Sequence, residues 1–252
     1  MRNSGIQNEY DFINKLNDKR VYELDFLLRD FIESIFPTST KNSIVKCRKG
    51  LNYEKTDIII SVGSKCKNVS IKVGYRNSVH CEKITKFIKF LKQLGVEDRI
   101  INMILKYHYG DNTIDGKGSV RMSASEYKKA NCEEINEINS YLNNEFIISK
   151  CINRFIFQGT QSHLNKIDIL ICGTVDDFFY ITDDEIYQYI LSKIGIESSA
   201  VHFSCLTFQP LSRVLNFDPK YEYMRDWIQI KWYNLEDNIF EILNSRYQKN
   251  VV

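Results

Sequence analysis

The chain has 252 residues, 43% hydrophobic and 26% charged, with a formal net charge of +2. That length supports one large or two small globular domains with a sizeable core, and the composition is ordinary for a soluble protein. Near-neutrality excludes binding to a polyanion through overall charge, so any nucleic-acid contact must come from a local basic surface. The seven cysteines, at positions 47, 66, 81, 132, 151, 172 and 205, are odd in number and form no C-x-x-C. That spacing gives neither a disulfide framework nor a zinc site, and most of them are expected to be buried free thiols. The N-terminal stretch is polar and no apolar run approaches about 18 residues, so a cytoplasmic protein without a membrane partner is expected.

The first predicted element is a helix over about 22–35, with Tyr22, Leu24, Phe26, Leu27, Leu28, Phe31, Ile32 and Ile35 on a broad stripe of helical period. Pro37 and the Ser/Thr cluster after it end that helix. Glu23 and Glu33 read most simply as solvated charges, with a reach toward an active site as the alternative. Ser43–Cys47 follows as a strand, with Lys46, Arg48 and Lys49 at its end.

Asp57–Val62 and Asn68–Val73 are short apolar runs either side of Gly63-Ser64-Lys65-Cys66. Turn chemistry between β-branched runs is a hairpin signal. A turn centred between Ser64 and Lys65 would pair Ile58 with Ile71 and Ile60 with Val69 on one buried apolar face. Asp57 would then face Lys72, and Ile59 would face Ser70. Directly opposed residues lie about 5 Å apart at Cβ, which gathers Asp57, Ser70 and Lys72 on one side. A solvated Asp–Lys cross-strand pair is the plain alternative.

Val79–Leu94 reads as an amphipathic helix, with Ile84, Phe87, Ile88 and Leu91 on one face and Lys83, Lys86, Lys89 and Lys92 mostly on another. Glu82 falls in its first turn, where the macrodipole favours a carboxylate by roughly 0.3–1 kcal/mol. His80 is a further candidate base or phosphate contact. A short helix over Gly95–Tyr109 precedes the glycine-rich stretch YGDNTIDGKGSVRMS, read as an exposed loop offering Lys117 and Arg121 to phosphates. Ser123 to Glu126 fits a capping box ahead of a polar helix. Asn143–Phe157 reads as a buried helix.

The second half continues with the polar loop Gln158 to His163, which includes Gln161 and Ser162. Strands over Lys166–Cys172 and Phe178–Ile181 follow, then a helix capped by Thr182 to Glu185. Strands over Val201–Phe208 and Trp227–Trp232 precede a closing helix over Glu236–Tyr247. Between those strands, QPLSRVLNFDPKYEYMRD carries Gln209, Arg213, Asn216, Lys220, Tyr221 and Arg225, an aromatic and basic composition that suits DNA contact. A rival placement joins Asp168, at the start of an earlier strand, to the neutral-x-Lys tripeptide Gln229-Ile230-Lys231.

An acid at the start of one strand followed by (D/E)-x-K on the next is the PD-(D/E)XK nuclease arrangement. Here Thr56 replaces the proline and Ser70 the second acid. The order KTDIII, VSIKVGYRNSV, a Glu-led helix and GVEDRIINMILKYHYGD resembles the MspI-like type II restriction endonucleases of that superfamily. The order of NNEFIISKCINRF, NKIDILI, DDEIYQYILSKI, LTFQPLSR and IQIKW agrees, so the resemblance covers roughly residues 40–232. It implies an α/β (α+β) fold with a restriction-endonuclease-like core, in which a mixed central sheet is flanked by helices. It implies a single domain, with a catalytic half over about 1–110 and a DNA-contact half over about 111–252.

The implied activity is Mg²⁺-dependent hydrolysis of phosphodiester bonds in double-stranded DNA at a short specific site. Asp57, Glu82 and the Ile71 carbonyl would hold the metal, with Lys72 and Ser70 completing the catalytic set. Glu82 would supply the charge that Ser70 cannot. Lys46, Arg48, Lys117, Arg121, Gln158, Gln161, Ser162, His163, Gln209, Arg213, Lys220 and Arg225 are the polar loop and strand-end candidates for DNA. A cognate DNA methyltransferase is the implied genetic partner, and the protein would act as a monomer or homodimer. A repair or mobile-element nuclease, or a DNA-binding protein with a degenerate site, are the alternatives.

Overall fold

The computed structural model describes residues 4–51, 55–74, 77–160, 165–211 and 219–250. In chain order the elements begin with α1 (Ser4–Leu16), β1 (Lys19–Arg20), α2 (Phe26–Ile35), β2 (Ile44–Lys49), β3 (Ile58–Val62), β4 (Lys65–Lys72) and β5 (Ser78–Lys83). Helices α3 (Ile84–Gln93), α4 (Asp98–Tyr109), α5 (Ala124–Ala130), α6 (Cys132–Leu142) and α7 (Glu145–Ile152) follow. The chain ends with β6 (Ile169–Thr174), β7 (Asp177–Thr182), α8 (Asp183–Ser192), β8 (His202–Phe203), β9 (Leu206–Pro210), β10 (Trp227–Trp232) and α9 (Leu235–Asn250).

These elements form two compact units, each with its own sheet. The first is Met1–Arg76, Phe157–Ile186 and Ile239–Val252, and the second is Asn77–Ile156 and Tyr187–Asn238. A division near residue 110 does not coincide with them, because each unit draws on both halves of the chain.

The first unit holds a six-stranded mixed sheet in the order β1-β2-β3-β4-β6-β7. Strands β2, β3 and β4 form an antiparallel meander, β6 adds parallel to β4, and β7 returns antiparallel. The expected mixed sheet flanked by helices is therefore present. Period-2 alternation drives its packing. Val45, Cys47, Ile58, Ile60, Val69, Ile71, Ile169 and Ile171 all enter one core with Phe12 and Leu16 of α1 and Leu28, Phe31 and Ile32 of α2. Each of the Val, Leu, Ile and Phe side chains, fully buried, contributes roughly 1.5–3 kcal/mol. Phe178 stands edge-on to Phe12 and Phe31 at 5.3 and 5.4 Å.

The predicted helix over 22–35 is shorter than expected. Val21–Glu23 is a 3-10 turn, and α2 starts after Asp25, whose carboxylate accepts from the Leu28 amide at 2.9 Å. Glu23 accepts from the Arg20 amide at 2.6 Å, so this acid serves as a local cap. Glu33 stays exposed on α2.

The hairpin forms with a different register from the one expected. Val62 pairs with Lys65 and Ile58 with Val69, so the connection is the two residues Gly63 and Ser64. Gly63 has φ +60°. A two-residue loop with glycine first matches the twist of the flanking strands. The slip is by two residues, so every side chain keeps its face. Its consequence is that Asp57 lies beside Ser70, and Lys72 is a diagonal neighbour rather than the opposite residue.

The second unit holds an antiparallel sheet in the order β5-β10-β9-β8. Phe87 of α3 sits at the centre of its core, with ring centroids 6.0 Å from Phe155, 5.8 Å from Phe203 and 5.5 Å from Phe208. The strand predicted over Val201–Phe208 breaks at Ser204, whose φ of 54° turns the chain between β8 and β9. The Ser204 amide and hydroxyl donate to Asn143 Oδ1 and the Ile190 carbonyl, each at 2.5 Å, which fixes that turn.

Candidate active site

Asp57 precedes β3 and Ser70 and Lys72 end β4, so the three collect at the end of the hairpin away from its turn. Asp57 is anchored by its backbone first: its amide donates to the Val69 carbonyl at 2.9 Å and its carbonyl accepts from the Gly50 amide at 2.9 Å. Gly50 is required there, since a Cβ would stand 2.0 Å from the Thr56 carbonyl oxygen. The Asp57 carboxylate then accepts from the Ser70 hydroxyl at 3.1 Å and the Ile71 amide at 2.6 Å. Both bonds fall on Oδ2, and Oδ1 takes none from the described residues. Charge-assisted bonds of this kind are the strong ones, so the carboxylate is held in one orientation.

Ser70 is buried, Asp57 and Lys72 are half-buried, and Lys72 forms no ion pair with a described residue. The pairing of Lys46 with Ser61 and Arg48 with Ile59 puts Lys46 and Arg48 on the same sheet face as Asp57, Ser70 and Lys72. Arg48 is exposed, whereas the Lys46 ammonium is bound to Asp18.

Glu82 belongs to the second unit and is not in a helix. It lies in β5, paired with Ile228 of β10, and α3 begins only at Ile84. Its side chain is 1% exposed. Oε1 accepts from His80 Nε2 at 3.0 Å and Arg154 Nε at 2.8 Å, and Oε2 accepts from the second Arg154 nitrogen at 2.6 Å. Burial alone would push this carboxyl up; the hydrogen bonds and charge of His80 and Arg154 outweigh it and hold the group below its ordinary 4.5. His80 is therefore a core partner of Glu82, ring-packed at 5.4 Å on Phe155. Arg154 was not a sequence candidate. Its signal was an arginine inside the apolar run FIISKCINRFIF.

The basic candidates occupy different environments. Arg121 reaches Glu222 at 3.1 Å, and Arg225 reaches Glu222 at 3.2 Å and Asp111 at 3.3 Å. Asp111 also accepts from Thr113 and Gly118, so the glycine-rich stretch is folded around a carboxylate rather than open to phosphate. Lys117 is exposed and lies 3.3 Å from Asp115. Lys220 stacks on Tyr221 at 4.7 Å within a 3-10 helix, Pro219–Met224. Gln158 ends the π-helical turn Asn153–Gln158, and Gln209 lies in β9 opposite Gln229, with its Oε1 buried and unbonded. Gln161, Ser162, His163 and Arg213 lie outside the described residues.

The rival arrangement does not assemble as one strand pair. Asp168 is in the first unit, where it accepts from the Asn68 amide at 2.7 Å, and Gln229 donates to Ser78 in the second at 2.9 Å. Only Cys47 and Cys151 are buried cysteines, fewer than expected, and Cys66, Cys81 and Cys132 are exposed.

Hard oxygen donors such as Asp57 suit Mg²⁺, which takes one or two carboxylates and completes its shell with water and substrate phosphate. Asp57 fits that role. Glu82 does not while Arg154 and His80 hold both its oxygens. No group of three or more His, Cys, Asp or Glu able to hold a metal occurs among the described residues. No described helix is long and apolar enough to cross a membrane. Compared with known proteins, the chain matches no family model and no curated sequence.

Proposed function

We propose that the protein is a type II restriction endonuclease of the PD-(D/E)XK kind, hydrolysing phosphodiester bonds in double-stranded DNA with Mg²⁺. The observation that carries this reading is the Asp57 carboxylate, fixed by Ser70 and the Ile71 amide with Lys72 next on the same face. The cluster sits at the carboxyl end of β4, beside parallel β6, the end at which ligands commonly meet parallel strands.

Asp57 would hold the metal through its unbonded Oδ1, with the Ile71 carbonyl as a second donor. Bound there, Mg²⁺ would supply a Lewis acid and a more acidic water. The Lys72 ammonium would stabilise negative charge developing on the phosphoryl oxygens. The Ser70 hydroxyl commits its proton to Asp57, which makes Ser70 a positioning residue for the carboxylate. Arg48, exposed on the same face, would meet the DNA backbone. A methyltransferase is the expected genetic partner, and monomer and homodimer both suit this chemistry.

A second reading has one observation in its favour. With a single carboxylate at the hairpin and no three-ligand group among the described residues, a DNA-binding protein with a degenerate site also accommodates the geometry. Supercoiled plasmid incubated with Mg²⁺ or EDTA separates the readings. Discrete Mg²⁺-dependent fragments support restriction. Nonspecific or branch-directed cutting supports another nuclease, and binding without cutting supports the degenerate protein.

A further inference from the structure

Helix α3 reads ITKFIKFLKQ and contains no acid. Its apolar side chains Ile84, Phe87 and Leu91 are buried, while Lys83, Lys86 and Lys89 are exposed. Lys83 is the residue immediately before the helix, at its N-cap. Lys92, in the last turn of the same helix, and Arg99, Lys106, Arg121 and Arg225 elsewhere in this unit each stand against a carboxylate. Lys83, Lys86 and Lys89 have no such partner among the described residues.

Helix physics disfavours this arrangement in two ways. Like charges three residues apart repel. A cation at the N-terminus opposes the macrodipole. Among the described residues no carboxylate pairs with these lysines, and the adjacent acid, Glu82, is closed off by Arg154 and His80. Charge complementarity therefore calls for an anion from outside.

We infer that Lys83, Lys86 and Lys89 form a phosphate-binding ridge for the backbone of double-stranded DNA. The spacing suits that partner. Six residues of helix rise about 9 Å. One strand of duplex presents a phosphate about every 3.4 Å of axis, so the ridge spans about three phosphates. Lysine acts there as a point charge without reading sequence, which assigns the ridge to affinity and register. The identity of the polyanion as DNA rests on the proposed nuclease reading; the ridge itself rests on the unpaired lysines.

The test measures duplex affinity against salt for the full-length protein, without Mg²⁺, using a 30-bp duplex. The triple variant Lys83→Gln, Lys86→Gln, Lys89→Gln is compared with a control, Lys19→Gln, Lys41→Gln, Lys129→Gln, which removes the same charge from exposed positions off the ridge. Circular dichroism checks that both fold, and removal of a repelling run should leave the ridge variant at least as stable as native protein. The ridge variant is expected to lose about 2–3 units of log–log salt slope and at least tenfold affinity at low salt, while the control loses less than one unit. An unchanged slope in the ridge variant, or an equal loss in the control, overturns the ridge. Plasmid cutting by native protein is scored separately: cutting with an unchanged slope sinks the ridge alone, and a reduced slope without any cutting sinks the nuclease reading alone. A native protein that does not bind duplex overturns both.

Discussion

Arg154 grips Glu82 through two hydrogen bonds, at 2.8 and 2.6 Å, inside the core of the second unit. A buried pair of this kind is costly to break from one side, because the remaining charge is left without a partner. Arg154→Ala should therefore lower stability by about 3–5 kcal/mol, read as a fall in the denaturation midpoint. Arg154→Met with Glu82→Gln should recover part of the loss. A single variant as stable as native protein would contradict the structural role given to this pair.

Acid sensitivity follows from the same pair. The folded-state value of Glu82 is depressed below 4.5. Its stabilising contribution is therefore present above that ordinary value and is lost as pH falls through the folded one. Stability measured between pH 7 and pH 3 should fall less steeply in Glu82→Gln than in native protein, from a lower starting point. Parallel pH profiles would show that Glu82 carries no such linkage.

Gly63 tests the register of the hairpin. Its φ of +60° is costly for any residue with a Cβ, although no heavy atom lies within 4 Å of where that Cβ would be. Gly63→Ala should lose about 1–2 kcal/mol from backbone strain alone. The loss should be a lower thermal midpoint with the fold retained. A neutral substitution would favour a longer loop in which Gly63 is not constrained.

Local chemistry was the most legible part of the chain. Strand β10 follows its period-2 pattern from Trp227 to Trp232, and the boxes at Ser123/Glu126 and Thr182/Glu185 form with both reciprocal bonds. The Asp57–Ser70–Lys72 face was also legible, because a two-residue slip preserves side-chain direction. The turn centre was not, since Gly63-Ser64 and Gly63 to Cys66 are both plausible loops until strand twist chooses. Glu82 was misplaced for a different reason. SVHCEK carries both periodicities, and its strand partner Trp227–Lys231 lies about 150 residues away, so tertiary pairing decided the element. Helix α1 buries Phe12 and Leu16, four residues apart, against the sheet. The interleaving of the two units likewise depends on contacts far apart in sequence.

The proposed nuclease function rests on the Asp57–Lys72 end of the hairpin. Asp57→Asn preserves size and an acceptor for the Ile71 amide, so the protein should stay folded at a cost of about 1–3 kcal/mol. The direct measurement is the single-turnover rate of duplex cleavage in Mg²⁺, for native protein, Asp57→Asn, Lys72→Ala and Ser70→Ala, each checked for folding. Native protein should cut, removing Asp57 or Lys72 should slow cleavage by about 10²–10³-fold, the scale of losing one electrostatic stabiliser, and Ser70→Ala should lose less. Full cleavage by folded Asp57→Asn and Lys72→Ala proteins would contradict it.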